Sequence, residues 1–145
     1  MTEGLTPADL GISGYEGSFL AFLDFRIIAH ERDFVRLRMP LRQEHTNTMN
    51  MAHGGVVMSM LDIAGAFAAH VAEPRGTKSV TMTQSTQFLR AVTGDALLAE
   101  GRVVRRSKSI VFTESRILDP SESDGEAQLC ATAQCSFKLR YPEPK

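Results

Sequence analysis

Between His53 and Ala72 the chain reads HGGVVMSMLDIAGAFAAHVA, a stretch apolar nearly all the way round a helix. A helix of that kind has to be buried, because no face of it suits water. The rest of the chain must therefore be arranged to cover it. Its second half is crowded with small residues, Ala64, Gly65, Ala66, Ala68 and Ala69, which let neighbouring backbone come close. One carboxylate, Asp62, sits in the middle of the run. An acid buried without a partner is costly, so Asp62 is either satisfied by a neighbour or useful.

The segments around the helix read as strands. From Phe19 to Met39 the chain is rich in aromatic and β-branched residues, divided by Arg32-Asp33 into strands at about 22–31 and 34–39. Pro40 ends the second. After the helix, Pro74 and Gly76 stop it and reverse the chain. Four further strands follow: Lys78 to Arg90, Ala96 to Ser107, Ser109 to Leu118 and Glu126 to Leu139. Turns are expected at Gly94-Asp95, around Ser107 and at 120–125. Connections this short make consecutive strands antiparallel neighbours. The architecture expected is α+β, an antiparallel sheet of five to six strands wrapped around one long central helix. The polar dozen LRQEHTNTMNMA leads into that helix, and loops of this length are often functional.

At 145 residues and 43% hydrophobic, the chain is the size of one domain able to bury its own core. We divide it into an N-terminal arm at 1–18, with one helical turn around Pro7 to Leu10, a single domain at 19–140 and a tail at 141–145. A net charge of -1 and a pI near 6.4 give no global pull toward nucleic acid or an anionic membrane. Cys130 and Cys135, five apart in one strand, lie roughly 16 Å apart at ~3.3 Å per residue and cannot pair with each other. They read as reduced packing thiols. No basic and apolar leader pattern opens the chain, which points to the cytoplasm. Ser59, Asp62 and His70 interrupt the apolar run, and a central Asp costs roughly 2.5 to 3.5 kcal/mol on insertion scales. The run is a core helix and not a membrane span.

Asn47, the triplet His53-Gly54-Gly55, and Asp62 nine residues after the histidine resemble the acyl-CoA thioesterases of the phenylacetate-degradation (PaaI-like) family, and the layout resembles their hotdog fold. The likeness runs from about Phe19 to Leu139. It implies hydrolysis of an acyl-CoA thioester by water, with no metal and no cofactor beyond the CoA of the substrate. It also implies a homodimer, paired further into a dimer of dimers or homotetramer.

The residues fit that chemistry on their own terms. A thioester carbonyl needs donors where its oxygen becomes negative, and the free amides at a helix N-terminus supply them. Gly54 and Gly55, lacking a Cβ, let an acyl group approach. Asn47 either adds a side-chain donor or fixes the loop, and His53 either braces the loop or touches substrate. Asp62 is the candidate to deprotonate the attacking water or to attack the carbonyl itself, and burial raises its pKa toward that of a useful base. Asp62 lies eight residues beyond Gly54, about 12 Å along the axis at ~1.5 Å per residue. One chain cannot bring both to the same carbon. A two-fold dimer with antiparallel helices can, by setting Asp62 of one chain against Gly54 of the other.

A hydroxyl on the strand after the helix often orients the water in similar enzymes, and Thr83 is the expectation among Ser79, Thr81, Thr83 and Ser85. Arg90 and the cluster Arg105, Arg106 and Lys108 are candidates for the CoA phosphates. The bland readings stand beside these: a structural acid, a loop-bracing His53, a solvated basic turn. His30 and His45 read as surface, and no close ligand pair with zinc spacing is visible. A hotdog hydratase or dehydratase and a non-catalytic acyl-CoA-binding protein are the competing functions. The first lacks its proline-rich or Asp-preceded histidine here, and the second lacks room in residues 1–18 for a DNA-binding appendage.

Overall fold

The apolar run forms a 17-residue helix, α2 (Gly54–His70), preceded in the chain by a short helix, α1 (Phe19–Leu23). Six strands, β1 (Arg26–Glu31), β2 (Phe34–Pro40), β3 (Lys78–Phe88), β4 (Ala96–Arg106), β5 (Ile110–Asp119) and β6 (Gln128–Arg140), make one sheet in the order β1-β2-β4-β5-β6-β3. All five pairings are antiparallel. The structure is a computed structural model, and it describes residues 4–120 and 126–144. The turn expected at 120–125 falls mostly outside the described residues.

The small residues of α2 do the job their size suggests. A Cβ on Gly101 of β4 would land on the carbonyl of Ala64, and one on Gly65 would meet Thr113 Oγ1 at 2.6 Å and the Phe137 ring at 3.0 Å. Helix and sheet are in direct backbone contact where they cross. Around that crossing Met60, Leu61, Phe67, Leu37, Leu97, Ile117 and Phe137 are fully or almost fully buried. Among the described residues no helix is long and apolar enough to cross a membrane.

Two expectations need correcting. The strand expected at about 22–31 begins only at Arg26, because residues 19–23 form a helix: the Ser18 side chain accepts from the Ala21 amide at the N-cap, and Asp24, at φ 56°, closes the turn in the left-handed region. A local cap outweighs the strand preference of Phe19 and Phe22. Pro40 ends β2 as expected, as its last residue. The connection between β3 and β4, though short, does not join neighbours, because β3 pairs with β6 at the edge of the sheet. Leu89 and Arg90 both donate to the Cys130 carbonyl, Val92 accepts from Ala52 and Asp95 from Leu41. The seven residues after β3 thus cross the end of the sheet, held at each step.

The arm is tied down as well. Leu5 and Ile27 exchange two backbone hydrogen bonds of 2.9 and 2.8 Å, and the turn expected around Pro7 forms as a 3-10 helix, Pro7–Leu10, under a Thr6–Asp9 capping box. Both cysteines are buried.

Candidate active site

Asp62 sits on the side of α2 that turns toward β3. Half-buried there, its carboxylate accepts a 2.6 Å hydrogen bond from Thr81 Oγ1 of β3. Burial pushes its pKa above the ordinary carboxylate value, and the Thr81 hydroxyl draws it part of the way back. Beside it on β6, the Cys135 thiol is pushed up to about 11, first by burial and then by the charge of Asp62. That thiol is protonated at neutral pH and no nucleophile.

Thr81, and not the expected Thr83, is the hydroxyl that reaches the acid. Simple alternation would place 79, 81, 83 and 85 on one face. The pairing of β3 with β6 slips between Thr81 and Thr83, so Met82 is an extra residue and the face changes there. Thr83 shares a 2.6 Å hydrogen bond with Ser136 on the other side of the sheet. One residue further on, Gln84 Nε2 donates to the Met58 carbonyl and ties β3 to α2.

The helix entrance separates the two glycines. Gly55 N–H donates to His53 Nδ1 at 2.8 Å, so His53 is a side-chain N-cap. An accepting Nδ1 leaves the proton of the neutral ring on Nε2. A Cβ on Gly55 would press on that cap at 3.0 Å, whereas one on Gly54 would make only ordinary contact with the Phe88 ring at 3.8 Å. Gly55 therefore serves the fold, and the fold makes no demand for glycine at position 54. Among the described residues the Gly54 N–H has no acceptor, so of the expected pair of donors one remains open. Asn47 fixes the loop: its Oδ1 accepts from the amides of Met49 and Met51 at 2.8 and 3.2 Å.

His45, expected at the surface, is fully buried. Its Nδ1 accepts from the Arg42 amide, its Nε2 lies 3.0 Å from the Phe22 carbonyl, and its own carbonyl accepts from His53 N–H. It clamps the loop that presents the helix entrance. The sequence held a signal for this in Phe22, whose ring meets the imidazole edge-on at 5.1 Å, but nothing local linked residues so far apart.

The basic candidates divide. Arg106 is occupied: its guanidinium pairs with Asp33 and Glu73 and donates to the Ala69 carbonyl, holding the end of α2 to the β1–β2 turn. Arg90, Arg105 and Lys108 are exposed. Among the described residues no group of three or more His, Cys, Asp and Glu could hold a metal ion.

A cavity of ≈500 Å³ opens beside Asp62 and Thr81, between the N-terminal arm and the far half of α2. Sequence reasoning missed it because one wall is the glycine-rich arm. On the other side of Asp62, β3 offers an unpaired edge, with Val80, Met82 and Phe88 about half exposed and Met58 of α2 43% exposed beside it. The candidate site lies between cavity and open edge.

The chain is similar in sequence or in fold to several known proteins. A Saccharolobus solfataricus protein whose name gives it as a candidate esterase is 29% identical over 98 residues, covering 68% of this chain and 69% of that one. A second from the same organism is 30% identical over 103 residues, spanning 71% of this chain and 65% of its own length. Among solved structures, a thioesterase from Haemophilus influenzae superposes with a TM-score of 0.78 at 18% identity, covering 97% of this chain and 94% of that one. A thioesterase family protein from Silicibacter pomeroyi superposes at 0.80 and 21% identity, over 93% and 98%. A Bacillus halodurans protein solved with CoA superposes at 0.65 and 23% identity, over 72% and 70%. The sheet around a single long helix is the hotdog fold these share. The model of the thioesterase superfamily matches residues 49–126, more than half of the chain, from the loop before α2 to just short of β6, and the chain belongs to that superfamily.

Proposed function

We propose that the protein hydrolyses an acyl-CoA thioester to the free acid and CoA, as a PaaI-like thioesterase. The observation that carries this reading is a carboxylate of raised pKa, held by Thr81 at the mouth of a cavity, in a superfamily of thioesterases. Asp62 takes a proton from water as the oxygen attacks the thioester carbon. The carbonyl oxygen gathers the negative charge beside the open Gly54 amide at the positive end of α2. Collapse of the tetrahedral intermediate expels CoA as its thiolate, a good leaving group that needs no metal. His53 and Asn47 hold the helix entrance in shape, as their hydrogen bonds suggest.

The two reacting ends lie eight residues apart on α2, ~12 Å at ~1.5 Å per residue, so a second copy completes each site. The exposed edge of β3 is where that copy pairs, because unpaired apolar edges invite pairing and a two-fold axis at an edge makes the two strands antiparallel. Asp62 of one protomer then meets Gly54 of its partner. Val104 and Phe112, exposed on β4 and β5, offer an apolar patch for pairing of dimers. The CoA phosphates are taken by Arg90, Arg105 and Lys108 at the rim, as guanidinium and ammonium groups favour them. The CoA found with the Bacillus halodurans protein supports that class of ligand.

A series of acyl-CoAs assayed for thiol release tests the reaction. Turnover of at least one acyl chain is expected, and a folded dimer that releases no thiol from any of them would overturn it. Thr81 is a positioning residue, and its replacement by Val removes the hydrogen bond that lowers the Asp62 pKa. The acid limb of the kcat/KM profile should then move to higher pH, with a loss of roughly tenfold in rate below it. A Thr81→Ser variant should restore the limb. An unmoved limb would make Thr81 a packing residue only.

A further inference from the structure

The cavity beside Asp62 is larger than the reaction at its mouth requires. Leu10, Ile12 and Leu20 from the arm and α1, with Ile63, Phe67 and Val71 from α2 and its end, give it apolar walls. One polar side chain of α2 other than Asp62 also lines it: His70, in the last turn. The imidazole lies against Phe67, ring centroids 5.3 Å apart, and makes no hydrogen bond to another residue among the described residues. Burial pushes its pKa down and a hydrogen bond to its own backbone draws it part of the way back, so at neutral pH it is an uncharged ring whose N–H is given to the backbone and whose other nitrogen can accept. Glu73, nearby on the cavity wall, is held by Arg106.

Half-buried polar groups are ordinarily paired. Here the ring's bond is to its own backbone alone, in a pocket that opens on the acid of the reaction. His70 is eight residues beyond Asp62 on the same helix, about 12 Å along the axis and some 80° round it at ~100° per residue. A chain with its thioester carbon at Asp62 that runs along α2 reaches His70 at its far end.

We propose that this cavity is the acyl pocket and that His70 hydrogen-bonds an oxygen at the distal end of the acyl group, the substrate being a medium-length straight acyl-CoA with a terminal hydroxyl. The inference rests on the thioesterase reading above and deepens it. A hydroxyl suits the ring because its O–H can donate to the nitrogen that the backbone bond leaves free. A carboxylate would need a charged partner at that depth, and the cations that line the cavity, Arg75 and Lys78, are exposed.

Matched series of plain, ω-hydroxy and ω-carboxy acyl-CoAs, from butyryl to dodecanoyl length, test the assignment. The ω-hydroxyl should raise kcat/KM by about tenfold at one medium length, the net effect of one added hydrogen bond. In His70→Phe the ratio between hydroxy and plain chains should fall to about one. An undiminished ratio in that variant would overturn the role of His70, as would a preference of the unaltered protein for ω-carboxy chains. Ile12→Trp, a substitution in the arm and remote from the α2–sheet contact, should shift the preferred chain toward butyryl. An unchanged length profile would remove the cavity as the acyl pocket. Calorimetry with non-hydrolysable thioether analogues separates this inference from the reaction. A hydroxyl preference in Kd without turnover would sink the hydrolysis and keep the pocket. Its absence alongside normal turnover would do the reverse.

Discussion

In an Asp62→Asn variant, thiol release from the best acyl-CoA should fall by about 10² to 10⁴, the usual contribution of a positioned general base. The amide keeps the shape and can still accept from Thr81, so the hydrogen bond seen at 2.6 Å survives and only the proton acceptor for water is lost. The sign of the effect on stability is opposite. Folding raises the Asp62 pKa, so the folded state holds that proton more tightly than the unfolded chain does. The contribution of Asp62 to stability is therefore greatest at low pH and declines as pH rises through the raised value. At neutral pH the ionised acid works against the fold, and a neutral amide removes that cost. A Tm at or above that of the unaltered protein should accompany the lost activity. Below the raised pKa the unaltered enzyme should lose kcat/KM as its base protonates. Near-normal turnover of the Asp62→Asn variant would remove the acid from the mechanism, and a collapsed dimer would make it a structural group.

Mixing two dead chains should restore activity. Gly54 is the first residue of α2, where proline is tolerated because its missing N–H has no helical partner. Gly54→Pro thus deletes the one open amide of the helix entrance with little harm to the helix. Homodimers of Gly54→Pro and of Asp62→Asn each lack one half of every site. After exchange, a mixed dimer holds one site with both defects and one with neither. Random pairing should return about one quarter of the unaltered turnover. Exchange followed by mass spectrometry, with thiol release measured on the same sample, reads this directly. No recovery in a sample shown to contain mixed dimers would mean that each chain works alone, against the ~12 Å that separates the two groups on one helix.

Much of this was legible before any coordinates. A twenty-residue apolar run can only be a buried element, and its small residues marked where a sheet would press against it. Gly101 against Ala64 and Gly65 against Thr113 are that contact. Strands β4, β5 and β6 lay close to where alternation and turn residues put them, and these are short-range signals set by the strand repeat; Asn47, His53, Gly54 and Asp62 stood out together through their resemblance to a family motif. What failed was whatever depended on distant partners. Residues 19–23 carry strand-forming side chains but obey Ser18 and Asp24 at their ends. His45 looked solvated because the carbonyl of Phe22 that buries it lies 23 residues away.

Periodicity alone determined that α2 is buried, that a sheet must wrap it, and that an acid in its middle required a reason. The tertiary structure decided which groups that acid meets. One extra residue at Met82 puts Thr81 and Thr83 on opposite faces of β3, and a cap from His53 takes the amide of Gly55 and leaves that of Gly54. The arm and the far half of α2 close a cavity that neither encodes separately. A strand's register, a cap's choice of amide and the meeting of two walls are settled by which arrangement satisfies the most backbone and apolar surface at once, and that balance exists only in the folded chain.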